Sequence, residues 1–239
     1  MKNHRFGWTL LLCVLCASAN ATSLLANGGF ETGTFAGWTL ASQAGSFPGS
    51  GFYVLPATTL PQSGQSTVGP ASGSFYAVSD QSGSGAHALI QSFIVAGPAS
   101  SVVLSFSLFV NNYGGNFVNP IGLDFTDGAN QHARVDILAA GASAFDTGAG
   151  VLQSFYLGSD AGANPHAYTN YTFDITSLVG AGGTFQLRFA EVDNQLFLNM
   201  GVDNAHIEAE LGNAVPEPSS ILLSALGLVI LIRSRLRRG

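Results

Sequence analysis

Cysteine is nearly missing from this chain of 239 residues: Cys13 and Cys16 are the only two, both close to the N-terminus. A chain cleaved after Ala21 has no disulfide, no thiol nucleophile and no thiolate metal site. At this length it buries enough apolar surface without such staples. Charge is also scarce. Only 9% of residues are charged, about a third of the usual fraction. Basic residues almost vanish from the middle. Between residues 22 and 214 only Arg134 and Arg188 oppose 13 acids, which leaves −11. A middle so acidic has no basic groove, so nucleic acid is excluded as a partner. Metal cations or neutral sugars suit it better. No stretch of 11 or more residues has helical periodicity, so the crossover helices of a parallel α/β fold are absent. No fixed-period repeat argues for a solenoid.

What is present is concentrated first at the two ends. Lys2 and Arg5 precede an apolar run from Phe6 to Ala17, and Ala19-Asn20-Ala21 has the small-x-small pattern of a signal-peptidase site. Residues 1–21 therefore read as a secretory signal peptide. A retained anchor is the alternative, and the shortness of the run argues for removal. At the other end Pro216-Glu217-Pro218 precedes an apolar segment, 221–232, and Arg233, Arg235, Arg237 and Arg238 follow it. Basic residues directly after a span stay cytoplasmic. The tail 215–239 thus reads as a transient membrane anchor with the acidic domain outside.

This tail resembles the PEP-CTERM sorting signal of Gram-negative bacteria, through the Pro216-Glu217-Pro218 triad, the single short hydrophobic span and the arginines at 233, 235, 237 and 238. The resemblance implies recognition by an exosortase-type processing enzyme. It also implies release toward the cell surface or extracellular matrix, in species that make exopolysaccharide. It says nothing about what the domain does.

Residues 22–214 alternate apolar and polar side chains in short patches broken by Gly, Asn, Pro and Ser. Strands are expected at 52–55, 74–78, 87–95, 101–110, 119–125, 132–138, 151–157, 168–175, 184–192 and 200–210, with one helical turn at 177–181. Leu104, Phe106, Leu108 and Val110 share one face with serines opposite. Phe185, Leu187 and Phe189 share another, with Arg188 on the reverse. Ten short strands with turn residues between them indicate an all-β, two-sheet antiparallel sandwich. The opening N-G-x-F-E-x-G-x-F-x-G-W, residues 27–38, resembles the first strand and turn of galactose-binding-like jelly rolls. Residues 86–93 and 202–207 resemble a core strand and the closing strand of the same family. That resemblance implies a structural Ca2+ ion shared by Glu31 and Asp203, since calcium takes six to eight oxygens.

Other chemistry is thin. Asp124, Asp127 and Asn130 lack EF-hand spacing and read as a β-turn. His87, His132, His166 and His206 have no zinc spacing, and no Gly-x-Ser-x-Gly elbow sits between strand and helix. Asn112, Tyr113 and Asn116 form a loop with amides on both sides of a tyrosine, a possible carbohydrate contact or a plain turn. Trp38 reads as core. The chain is therefore expected to be a secreted, non-enzymatic surface or matrix protein associated with exopolysaccharide. An extracellular polysaccharide hydrolase and a purely structural surface protein are the alternatives.

Overall fold

The computed structural model describes residues 22–119 and 122–211. The expected signal peptide at 1–21 and the tail with its apolar span 221–232 lie outside the described residues. The elements are β1 (Thr22–Ser23), β2 (Thr39–Ser42), β3 (Gly51–Leu55), β4 (Tyr76–Asp80), β5 (Gly85–Val95) and β6 (Ala99–Asn112). They continue with β7 (His132–Ala139), β8 (Val151–Gly158), β9 (Thr169–Asp174), α1 (Thr176–Val179), β10 (Gly183–Asp193) and β11 (Leu198–Leu211).

One sheet runs β3-β4-β11-β6-β9, with β1 added along β11. The other runs β2-β5-β10-β7-β8. Every strand pairing among the described residues is antiparallel. The expected two-sheet sandwich is the fold. Alternation explains its core. Leu104, Phe106 and Leu108 of β6 meet Leu187 and Phe189 of β10 between the sheets, with the Phe106 and Phe189 rings edge-to-face at 5.5 Å. Each such phenylalanine contributes about 2–3 kcal/mol by burial.

The opening motif is explained by close packing. Gly28 lies flat against β11: its carbonyl accepts the Ala205 N–H at 2.9 Å, and a Cβ on it would sit 1.8 Å from the Ala205 carbonyl oxygen. Asn27 and Phe30 adopt positive φ of 51° and 58°. That turn drives the Phe30 ring into the core beside Trp38, 5.5 Å between centroids. Trp38 is core, as its sequence context indicates, and its Nε1–H donates to the Asn27 carbonyl.

One expectation needs correction, and two features of the sheets go beyond the sequence reading. The apolar alternation at 119–125 is not a strand; its described residues turn instead, and the buried Asn130 amide donates to the Gly122 and Asp124 carbonyls that a neighbouring strand would otherwise satisfy. β2 and β1 are strands with too little alternation to see in sequence. The reverse face of β10 is also buried. Arg188 lies under the 139–150 connection, donating to the Ala144 and Asp146 carbonyls and pairing with Asp136, which also holds Arg134. This buried ion pair cluster pins the outer face of the second sheet.

Candidate functional site

Three places bear on function. The first is the corner where the opening turn meets β11. Glu31 and Asp203 both arrive there and grip the same loop. Glu31 accepts the Ser74 and Phe75 N–H groups, and Asp203 Oδ2 accepts those of Ala71 and Ser72 at 2.9 and 3.1 Å. Burial raises the Asp203 pKa, with Glu31 adding repulsion. Gly29 separates them: a Cβ there would be 3.7 Å from Asp203 Oδ1 and 4.0 Å from Asn204 Oδ1. The missing side chain leaves room that oxygens face. Glu31 Oε2 and Asp203 Oδ1 each accept a single N–H, so each keeps a lone pair for a cation. No group of three or more His, Cys, Asp or Glu among the described residues is arranged to hold a metal, so any ion at this corner draws most of its oxygens from carbonyls and water.

The second place is the 111–116 loop. Its Asn112 amide is fully used: Oδ1 accepts Gly114 N–H and Gln131 Nε2–H, while Nδ2 donates to the Gly115 carbonyl and Ser159 Oγ. Asn112 is thus a brace with nothing left for a sugar. Tyr113 is half-buried and Asn116 is exposed. Asp124, in the loop beyond, caps its own turn through the Thr126 N–H and hydroxyl.

The third place was not visible in the sequence. At the same end of the sandwich, loops 81–84 and 194–197 enclose a pocket of about 220 Å3. Its walls carry Gln81, Ser82, Ser84, Asp193, Asn194 and Gln195 beside Leu196 and Phe197. Leu196 is 58% exposed, an unusual degree for leucine that gives the rim an apolar lip. The loop at 113–116 abuts this wall: Tyr113 N–H donates to the Phe197 carbonyl, and Gln131 Oε1 accepts Gln195 and Leu196 N–H.

Inward-facing residues of β10 and β5 form the ground beneath the pocket. Glu191 is fully buried opposite His87 in the β10–β5 register, and neither of its oxygens has a hydrogen-bond partner. Burial, then Asp193 and Asp80, drive the Glu191 pKa well above the usual carboxylate range. Burial lifts Asp193 to about 8, opposed by the neighbouring Gln81 amide and the Gly85 N–H. The Gln81 amide thus lies beside Asp193 as a donor to it. Burial lowers His87 to about 4, so it is neutral; its Nδ1 meets Ser42 Oγ at 2.9 Å. The sequence shows His87 without zinc spacing and Asp193-Asn194 after Glu191 as a plain turn; it does not show that the β4–β5 turn carrying Gln81 and the β10–β11 turn flanked by Asp193 and Phe197 meet.

The chain outside the sandwich decides how it is handled. Its C-terminal region matches the model of the PEP-CTERM protein-sorting motif over residues 214–238. The chain carries a PEP-CTERM sorting signal. The PEP-CTERM match covers Pro216, Glu217, Pro218, Arg233, Arg235, Arg237 and Arg238, and with it the protein is a secreted one sorted through its C-terminus. No helix among the described residues is long and apolar enough to cross a membrane. No curated protein matches the chain. Among solved structures, the PEP-CTERM protein's sandwich is similar to the carbohydrate-binding module TmCBM61 in complex with β-1,4-galactotriose. The identity is 12%, over 79% of this chain and 99% of that one, with a TM-score of 0.49. It is also similar to the Stig cyclase Fisc from Fischerella sp. TAU, at 16% identity, 81% and 100% coverage and a TM-score of 0.48. A third is the K3 adhesin domain of Lys-gingipain from Porphyromonas gingivalis w83, at 14% identity, 82% and 100% coverage and a TM-score of 0.45. Similarity at this level carries no argument about what this PEP-CTERM protein binds.

Proposed function

We propose that this secreted, sorted protein is a non-catalytic component of the cell surface or extracellular matrix of a Gram-negative bacterium. It associates there with exopolysaccharide after an exosortase-type enzyme has processed its tail. The end pocket is its sugar contact. The observation that carries this reading is the concavity itself, in which Gln81, Ser82, Ser84, Asn194 and Gln195 stand beside an apolar lip at Leu196 and Phe197. Amides and hydroxyls beside an apolar surface are what sugar rings require. Tyr113 and Asn116 extend the same rim.

A structural calcium ion at Glu31 and Asp203 belongs to the same proposal. It is supported by the convergence of both carboxylates beside Gly29, and it would tie the opening turn to β11 without taking part in binding.

Calorimetric titration of a panel of exopolysaccharide-derived oligosaccharides tests the sugar contact. Gln81→Ala is expected to weaken binding about fivefold, one hydrogen bond's worth of about 1 kcal/mol. Binding by the wild type that is insensitive to both Gln81→Ala and Phe197→Ala would place the contact elsewhere and refute the reading.

A further inference from the structure

Two phenylalanines stand open to solvent at the end of the sandwich that carries the pocket. Phe47 is 46% exposed and Phe117 is 43% exposed. Both are held in place. The Phe47 N–H donates to the Ser84 carbonyl at 2.9 Å, and its ring lies over Gly83, where a Cβ would sit 2.5 Å from ring Cδ2. Phe117 exchanges both backbone hydrogen bonds with Gln131, at 3.0 and 2.8 Å. Its ring lies over Gly115, where a Cβ would sit 2.4 Å from ring Cε2. In each case a residue without a side chain lets the ring rest on backbone, and the exposure falls on the rest of the ring.

The two rings stand against different walls of the pocket. Phe47 lies on the 81–84 wall through Gly83 and Ser84. The loop carrying Phe117 lies on the 194–197 wall: a Cβ on Gly114 would sit 3.3 Å from Gln195 Cβ, and Gln131 Oε1 accepts the Gln195 and Leu196 N–H groups. Ser82, Ser84 and Gln195, all exposed, stand on the walls between the rings. The order across this end is ring, polar wall, pocket, polar wall, ring. A protein partner is suited by a continuous apolar face. Separate rings with hydroxyls and amides between them suit a chain whose units each present an apolar ring face and a hydroxyl edge, which is a polysaccharide. An anionic chain has no counter-charge here. Arg134 and Arg188 are the two arginines among the described residues, and both are committed to Asp136. The −11 of the middle region repels polyanions.

We propose that Phe47 and Phe117 are stacking platforms that hold a neutral polysaccharide along its chain, with one sugar in the pocket of about 220 Å3 and its neighbours on the two rings. This rests on the pocket being the sugar contact, and it adds the class of polymer and the way it is held. Rings already fixed on glycine lose little freedom when a sugar covers them, so the stacking is retained as affinity.

The test titrates cello-, laminari- and β-1,4-galacto-oligosaccharides, from single sugars to hexasaccharides, into the processed wild-type protein, Phe47→Ala, Phe117→Ala and the double variant. Alginate oligosaccharides serve as the anionic chain. In the neutral series that binds, the trisaccharide is expected to bind at least about tenfold more tightly than the single sugar, and each single variant to lose about fivefold for the trisaccharide. The double variant is expected to bind the trisaccharide no better than the single sugar, and Phe47→Tyr and Phe117→Tyr to keep the gain. Both side chains lie outside the core clusters, and melting temperatures equal to the wild type's show that the variants are folded. Affinity that does not rise with chain length overturns the inference, and so does a rise that survives in the double variant; loss of binding in Phe197→Ala then still upholds the pocket as the sugar contact. Alginate bound in preference to every neutral series overturns the neutral class. Binding of none of the series overturns both the inference and the pocket as a contact for these sugars.

Discussion

Raising the pH from 4.5 to 8 exposes the cost of the acids beneath the end pocket. Four buried groups set the curve. Asp193 moves from 3.8 to about 8 on folding, and Glu191 moves in the same direction. Each holds a proton in the folded state that it has lost in the unfolded chain, so each makes stability fall as pH rises. His87 and His132 go the other way: burial takes both from 6.5 to about 4. Between about pH 4 and 6.5 the unfolded chain binds their protons and the folded one does not, so they make stability rise with pH. The two pairs oppose each other up to pH 6.5. Above 6.5 the histidines are neutral in both states and only the acids act. Asp193 then costs up to about 1.4 kcal/mol per pH unit, about 2 kcal/mol by pH 8. For a domain of this size that is a fall of roughly 4–8 °C in melting temperature, with Glu191 adding to it. Urea denaturation and thermal melts at half-unit steps give the curve. Asp193→Asn is expected to flatten the limb above 6.5 and to be more stable than the wild type at pH 8. A wild-type curve flat from 6.5 to 8, or a variant curve parallel to it, would refute the assignment of a buried, proton-holding Asp193.

Two further outcomes follow from other parts of the structure. Asp136→Asn leaves Arg188 buried with no counter-charge, and the expected loss is about 3–5 kcal/mol, read from urea midpoints; a loss under about 1 kcal/mol would show that the Ala144 and Asp146 carbonyls suffice to hold Arg188. Calcium added to chelator-treated protein is expected to raise the melting temperature, by about 2.7 kcal/mol of stabilisation at a hundredfold excess over Kd, and Glu31→Ala or Asp203→Ala to abolish the rise. An unchanged melt would leave the Ser74, Phe75, Ala71 and Ser72 N–H groups as the whole of what those carboxylates hold.

Much of the sandwich was legible because its signals are local. The alternation of Leu104, Phe106 and Leu108 against serines marks an inner face wherever β6 ends up. The Gly28 and Phe30 turn carries its own conformational constraints. Glu31 and Asp203, singled out by the opening and closing motifs, both bond the backbone of the 71–75 loop. The failures were places where a side chain from elsewhere took over the backbone or the surface. Residues 119–125 alternate like a strand, yet Asn130 claims the carbonyls of Gly122 and Asp124. Asn112 looked free for a ligand until Gln131, from a distant turn, occupied its oxygen.

The sequence by itself determined the handling of this protein and its architecture. Export and sorting signals are read as linear segments, and strand faces follow from a period of two along the chain. Tertiary structure alone decided the chemistry of the end pocket. Gln81, Asp193 and Phe197 are brought together by the pairing of β4, β5, β10 and β11. The raised pKa values of Glu191 and Asp193 come from burial, a property of the assembled sandwich that no stretch of the chain possesses alone. The same residue types on a solvated loop would be hydrated and would keep their ordinary ionisation.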